Sequence, residues 1–175
     1  ADSESVWKCK KVIDDEDKTV YESSDGYKIT AYHIRKDDIF ECYTVFENNS
    51  DKTVTLDMIS SFAITDIDAD TLHRATSFWS AEGKMLSQKL TQLNMERSWS
   101  GHGIRIEKFG QIGSMPVRKW FPFVAIENSE KNEFIGVQLY CPSSWQIELF
   151  RYKEPLTLVG GLADFDYGHW CKEKI

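Results

Sequence analysis

Hydrophobic and polar side chains alternate with a period of two residues along most of this 175-residue chain, and this period is typical of half-buried β-strands. The clearest example covers Tyr27–Ile34 and Ile39–Glu47, two alternating runs that Asp37 and Asp38 separate. Two such runs joined by a short polar turn predict a β-hairpin. We also predict one between Ile39–Glu47 and the run that resumes at Val54. Asn48–Asp51 is a second turn signal, because Asn and Asp tolerate left-handed backbone and hydrogen-bond to their own chain.

The same alternation continues downstream and predicts further short strands. They cover Val54–Met58, Phe62–Ile64, Ile104–Ile106, Phe121–Ile126, Phe134–Tyr140, Trp145–Phe150 and Leu156–Val159, the last running into Gly160 and Gly161. Strands at a spacing of roughly 8–12 residues, with turns between them, indicate an all-β sandwich or barrel. We expect one domain over residues 1–175, because a chain of this length can form a single hydrophobic core.

One segment, Glu82–Arg97, carries two periods at once. Leu86, Leu90 and Leu93 have helical spacing, whereas the stretch from Leu93 to Trp99 alternates as a strand does. Short runs that fit both periods are ambiguous by pattern alone. We favour strand in this segment and keep a helix as the alternative.

The composition is that of an acidic, aromatic-rich globular chain. Lys and Arg number 21 against 28 Asp and Glu, which gives a net charge of −7, and 13% of the residues are aromatic. The acidic balance argues against nucleic acid as a partner, since phosphate binding requires a basic surface. No apolar run reaches the ~18 residues of a membrane span. No export signal is visible at the start of the chain, so we expect a cytoplasmic protein.

The four cysteines, Cys9, Cys42, Cys141 and Cys171, lack C-x-x-C spacing, and a zinc-ribbon or thioredoxin-like site therefore has no support. We expect reduced thiols in or near the core, because a chain of this length does not depend on disulfide staples. A disulfide that involves the terminal Cys9 and Cys171 stays open as the alternative.

Motifs for metals and nucleophiles are incomplete. Asp66, Asp68 and Asp70 resemble the start of an EF-hand loop, but Thr71 stands where that loop requires Gly and Ser77 where it requires Glu. A solvated acidic turn is the simpler interpretation. No paired metal-ligand spacing connects the four histidines, His33, His73, His102 and His169. We therefore predict no catalytic residue, no metal ligand and no cofactor.

Five of the six tryptophans lie near the ends of predicted strands or in loops. The five are Trp79, Trp99, Trp120, Trp145 and Trp170. Aromatic rings stack on the apolar faces of sugars while nearby polar groups fix the orientation, but large aromatics also fill the cores of sandwiches. Both interpretations are open for each ring, and the sugar-binding candidates are Trp79, Glu82, Trp120 and Trp145.

Four segments together resemble the N-terminal domain of glycoside hydrolase family 36, the bacterial and fungal α-galactosidases. YTVFENNSDKTVTL (43–56) is similar to a hairpin of that domain, and FWSAEG (78–83) to its W-x-x-E segment. GSMPVRKWFPFVAIEN (113–128) resembles its approach to a P-F-x-A-L strand, and FIGVQLYCPSSWQIEL (134–149) resembles a strand–turn–strand unit. The segments follow the family's order, and the resemblance covers about residues 27–170.

The resemblance implies a β-supersandwich related to galactose mutarotase-like domains. In that family the domain precedes a (β/α)8 barrel that carries two catalytic aspartates, and it supports the homo-oligomer. No part of this sequence resembles the barrel, so the resemblance implies a fragment of a larger enzyme, cut at both ends. Two departures concern the sugar contacts: Ala81 replaces an Arg of the W-x-x-E segment, and Pro142–Ser144 replaces a Ser-Gly turn.

Three functional hypotheses follow. The first is a non-catalytic N-terminal domain of an α-galactosidase-like enzyme, which packs on the barrel and supports assembly or the sugar site. The second is a free-standing carbohydrate-binding module whose exposed tryptophans line one face and bind a galactoside. The third is a small mutarotase-like enzyme that uses a His–Glu pair, His73 or His102 with Glu82.

Overall fold

A computed structural model describes residues 9–56, 58–96, 105–113, 117–140, 144–152, 156–163 and 173–174. Within these ranges the chain forms β-strands and one short 3-10 helix, and no α-helix occurs. The strands are β1 (Cys9–Asp14), β2 (Lys18–Ser23), β3 (Tyr27–Lys36), β4 (Ile39–Asn48), β5 (Thr55–Leu56), β6 (Met58–Ile67), β7 (Thr71–Thr76), β8 (Met85–Lys89), β9 (Arg105–Gln111), β10 (Trp120–Asn128), β11 (Glu133–Gln138), β12 (Trp145–Arg151), β13 (Leu156–Ala163) and β14 (Glu173–Lys174). No described helix is long and apolar enough to cross a membrane.

The strands form three four-stranded sheets and one two-stranded ladder. We call them the meander sheet (order β1-β2-β3-β4), the β7 sheet (β11-β10-β7-β8) and the β12 sheet (β6-β13-β12-β9); β14 pairs with β5. All strand pairs of the described chain are antiparallel. The prediction of an all-β antiparallel sandwich is confirmed.

The core lies between the β7 sheet and the β12 sheet. Side chains at alternate strand positions form one buried cluster, which includes Leu72, Val124, Ile126, Trp145, Ile147, Leu149, Leu156 and Leu158. This arrangement follows from the period of two, because alternate residues of a strand point to the same face. The cluster contains contributions from both sheets, as a two-layer sandwich requires.

The predicted hairpin of the meander sheet is confirmed. Strands β3 and β4 pair without a register shift from Tyr27 opposite Asn48 to Lys36 opposite Ile39. At the turn, Asp37 has a φ of 53°, a left-handed conformation that Asp adopts more readily than most residues.

The predicted hairpin across Asn48–Asp51 is wrong. The turn after Asn48 forms, since Asn48 Oδ1 accepts a hydrogen bond from the Ser50 backbone N–H at 3.0 Å. However, β4 pairs only with β3 among the described strands. The next strand, β5, pairs with β14, and β6 pairs with β13. The strands on either side of the predicted turn at residues 141–144 also belong to different sheets, β11 to the β7 sheet and β12 to the β12 sheet. Turn residues signal a change of direction, but they do not identify the strand's next partner.

The segment with two periods begins in a loop at residues 82–84, continues as strand β8 and then forms the 3-10 helix Leu90–Leu93. Asn94 follows in the left-handed region with a φ of 54°, and Leu90 and Met95 are buried. The favoured strand is therefore confirmed for Met85–Lys89, whereas strand is wrong at residues 82–84 and at Leu93. The predicted alternation beyond residue 96 lies outside the described residues.

A close approach between β13 and β6 explains the pair Gly160 and Gly161. A Cβ atom on Gly161 would lie 2.1 Å from the Ile59 carbonyl oxygen, and one on Gly160 would lie 2.8 Å from the Phe62 ring. The register shifts at this point, as it does where an irregularity brings two backbones close together. The sequence prediction ended the strand at Val159, but β13 continues through both glycines.

Candidate functional site

Two of the four sugar-binding candidates, Trp79 and Glu82, lie in the loop between β7 and β8. We call residues 77–84 the aromatic loop. Trp79 is 84% exposed and its neighbour Phe78 is 65% exposed, and Glu82 is exposed as well. The loop thus presents two bare aromatic rings and a carboxylate in one short segment.

Backbone hydrogen bonds give the aromatic loop a defined shape. The Thr76 N–H donates to the Lys84 carbonyl at 3.0 Å, and the Gly83 N–H donates to the Thr76 carbonyl at 2.8 Å. Within the loop, the Ala81 N–H donates to the Phe78 carbonyl at 2.8 Å. Ser80 and Gly83 adopt φ values of 65° and 74°, and such a conformation is unfavourable for Ser but not for Gly. The exposed rings are therefore held on an ordered support.

Trp120, the third candidate, is half-buried and already has partners. The Arg74 guanidinium lies 4.7 Å from its ring centroid, and the Lys119 ammonium lies 5.6 Å from it. Phe109 packs edge-on against it with centroids 6.2 Å apart. Arg74 itself is buried and donates from Nη1 to Glu107 Oε1 at 2.6 Å. The ring of Trp120 thus serves to cover a buried cation.

Trp145, the fourth candidate, is fully buried. It lies in the core at the start of β12, where Phe109 packs edge-on at a centroid distance of 6.2 Å. No ring face is open to solvent, so in this conformation Trp145 contributes packing rather than a sugar platform. The structure thus places the tryptophans differently: Trp79 outside, Trp120 at the margin and Trp145 in the core.

Two of the three aspartates of the acidic turn form ion pairs with lysines. Asp70 Oδ1 pairs with Lys89 Nζ at 2.6 Å, and Asp68 Oδ2 pairs with Lys131 Nζ at 3.0 Å. Hydrogen bonds from Lys89, from Thr71 and from the Ser129 backbone N–H hold the pKa of Asp70 well below its usual range. Among the described residues, no group of three or more His, Cys, Asp or Glu side chains has the geometry of a metal site.

A polar cluster that the sequence analysis missed lies on the outer face of the β7 sheet. His73 Nε2 is 2.9 Å from Glu127 Oε2, and His73 Nδ1 is 2.8 Å from Ser87 Oγ. The third hypothesis required a His–Glu pair; His73 does contact a glutamate, but its partner is Glu127 and not Glu82. Glu127 follows His73 by 54 positions, so only the strand register could have revealed the pair.

The cluster joins three neighbouring strands. On β8, the residue directly opposite His73 is Ser87. On β10, the residue directly opposite His73 is Ala125, and Glu127, two positions further along that strand, is its diagonal neighbour. Diagonal neighbours on one sheet face are within reach of long side chains. A histidine between a carboxylate and a hydroxyl can donate and accept hydrogen bonds and can carry a proton.

The remaining candidate ligands add little to either site. Cys42 is a free, half-buried thiol, and its burial raises its pKa, which lowers its reactivity. His102, His169, Cys141 and Cys171 lie outside the described residues.

No protein-family model matches this sequence, and no curated protein matches it.

Proposed function

We propose that this chain is the non-catalytic β-sandwich domain of an α-galactosidase-like glycoside hydrolase, and that its aromatic loop contacts the catalytic barrel beside the sugar site. The observation that carries the proposal is the exposure of Trp79 on an ordered loop. A large ring that stays in water forgoes roughly 1.5–3 kcal/mol of burial free energy. A ligand or a neighbouring domain that covers the ring recovers it.

The residue types around Trp79 support a position beside a sugar. An indole ring stacks on the apolar face of a pyranose, and Glu82, three positions later in the same loop, can accept hydrogen bonds from hydroxyl groups. Phe78 adds a second exposed ring. These residues also form the W-x-x-E segment on which the resemblance to the α-galactosidases partly rests.

In this proposal the catalytic residues belong to the barrel and not to this domain. Retaining glycoside hydrolysis needs two carboxyl groups about 5 Å apart, and the resemblance places both on the barrel. The domain packs on the barrel and supports a homo-oligomer, and Trp79 forms part of the wall of the sugar-binding site.

The decisive experiment is to read the sequence that flanks this segment and to assay the encoded protein with 4-nitrophenyl α-galactoside. We expect a barrel with two strand-end aspartates, turnover by the longer protein and none by residues 1–175 alone. In the longer protein, Trp79→Ala should raise KM about tenfold, which corresponds to a loss of about 1.4 kcal/mol of binding. Tyr140→Ala, which also removes an exposed aromatic ring, is the matched control. Turnover by the isolated chain, or flanking sequence without a barrel, would overturn the proposal.

The free-standing carbohydrate-binding module remains the alternative, and it rests on Trp79 because Trp120 and Trp145 do not share an exposed face with it. The two functions separate in a titration of the isolated chain with raffinose, followed by tryptophan fluorescence. A millimolar or tighter response that disappears in Trp79→Ala favours the module. The barrel-dependent role predicts no response from Trp79 in the isolated chain.

A further inference from the structure

We propose that the outer face of the β7 sheet is a second binding site, for a neutral hexopyranoside, with Phe134 as the stacking platform. The site needs neither the aromatic loop nor a catalytic barrel, so it goes beyond the proposed function. It contains the cluster of Ser87, His73 and Glu127 together with the small residues beside it.

Strand register defines the floor of this site. One row across the sheet reads Ser87, His73, Ala125 and Gly136, because these residues are cross-strand partners in turn. Half of that row has a methyl group or no side chain at all, and a Cβ atom built on Gly136 meets nothing within 4 Å. The surface above Gly136 is therefore open, and Ala125 beside it is half-buried.

The neighbouring row supplies the wall. Glu127 and Phe134 are cross-strand partners on the same face, and Phe134 is 58% exposed. Its ring centroid lies 6.1 Å from that of His73, with the planes tilted by 40°. An exposed ring beside a shallow, open floor is the geometry in which aromatic side chains stack on sugars.

The polar groups suit hydroxyl groups better than charges. Glu127 contacts the His73 ring through Oε2. Its other carboxylate oxygen, Oε1, accepts no hydrogen bond from any residue that the structure describes. His73 and Glu127 are partly exposed, at 16% and 22% of their side-chain surfaces, and Ser87 is exposed. The face thus offers a carboxylate acceptor and a hydroxyl that both donates and accepts. An anionic ligand is disfavoured by Glu127, and a cationic ligand would find one ring instead of an aromatic cage.

The test measures binding of the methyl glycosides of galactose, glucose and mannose to the full 175-residue chain by saturation-transfer NMR and amide chemical shifts. We expect millimolar binding of at least one glycoside, with shifts centred on the amides of Ala125 and Gly136. Phe134→Ala should weaken it about tenfold by removing the platform. Gly136→Val should weaken it at least as much by filling the floor, and the open space above Gly136 allows this variant to fold.

Two control variants separate this site from the aromatic loop. Trp79→Ala should leave the glycoside affinity within about twofold, and so should Phe40→Ala, which removes an exposed phenyl ring from the meander sheet. Urea midpoints of all variants verify folding. The proposal is overturned if no methyl glycoside binds, or if Gly136→Val and Phe134→Ala bind as the unmodified chain does. Loss of binding in Trp79→Ala alone would also overturn it, while leaving the role of the aromatic loop intact.

Discussion

The meander sheet and the two-sheet sandwich share an alternating sequence pattern but differ in burial. In the sandwich, Trp145, Ile147 and Leu149 on β12 have no exposed surface. In the meander sheet only Val20 and Thr30 are buried among the described residues, while Ile39 and Phe40 at the end of the hairpin are each 64% exposed. Alternation therefore predicts a strand correctly without predicting that a second layer covers it.

The meander sheet relies on contacts between adjacent strands. Tyr32 and Tyr43 are directly opposite and stack with ring centroids 4.5 Å apart, and Lys28 pairs with Glu47 at 2.8 Å. Such cross-strand pairs contribute roughly 0.2–1 kcal/mol each, less than a fully buried core side chain. The comparison teaches that the same period of two supports a packed core in one region and a ladder of surface pairs in the other.

The largest expected difference in the free energy of unfolding is between alanine variants of two isoleucines, one in each region. Ile147→Ala should destabilise the fold by about 3–4 kcal/mol, because it removes a fully buried side chain from the core cluster and leaves a cavity. Ile39→Ala should cost less than about 0.5 kcal/mol, since Ile39 is mostly exposed. Urea unfolding monitored by circular dichroism measures both. Equal losses would break the comparison and show that the meander sheet is covered in solution.

The second comparison is between the stabilities of alanine variants at two glycines, both in the sandwich. Gly161→Ala should cost about 3 kcal/mol, because the added Cβ would collide with the Ile59 backbone of the paired strand. Gly136→Ala should be neutral or slightly stabilising, since its Cβ would meet nothing. Urea midpoints of the two variants, each against the unmodified chain, measure the difference. A loss in Gly136→Ala as large as that in Gly161→Ala would contradict the open space above Gly136. A Gly161→Ala variant as stable as the unmodified chain would contradict the close approach of β13 to β6.

The sequence predicted features formed by residues close together in the chain better than contacts between residues far apart in it. The β3–β4 hairpin is local, and the alternation of adjacent residues around Asp37 and Asp38 predicted it. The sequence pattern favours strand from Glu82 onward, so the end of the aromatic loop was not predicted. The pairing of His73 with Glu127 depends on the order of strands in a sheet, which periodicity does not contain. Burial could not be predicted for the same reason. Trp79 is exposed and Trp145 is buried, but the residues next to each tryptophan in the sequence do not indicate whether another sheet covers its ring.

The smallest expected effect concerns two carboxylates with lowered pKa values, one in each region. Hydrogen bonds from Lys89, Thr71 and the Ser129 backbone lower that of Asp70, and hydrogen bonds from Lys11 and Thr19 lower that of Asp14. A lowered pKa in the folded state means that the unfolded chain binds more protons as the pH falls. The stabilisation by each carboxylate is therefore complete above its ordinary pKa of about 3.9 and is lost as the pH falls towards the folded-state value.

Asp70 should matter more than Asp14 because it joins segments that are distant in the chain. Its partner Lys89 is 19 positions away and Ser129 is 59 positions away, whereas Lys11 and Thr19 lie within five positions of Asp14. We expect Asp70→Asn to cost about 1 kcal/mol or less at neutral pH, since Asp70 is 40% exposed and solvent screens its ion pair. Unfolding by urea at a series of pH values should show this difference shrinking below about pH 4. Asp14→Asn should give a smaller difference with the same sign; a larger one would mean that local hairpin contacts, and not long-range ones, dominate the acid stability of this chain.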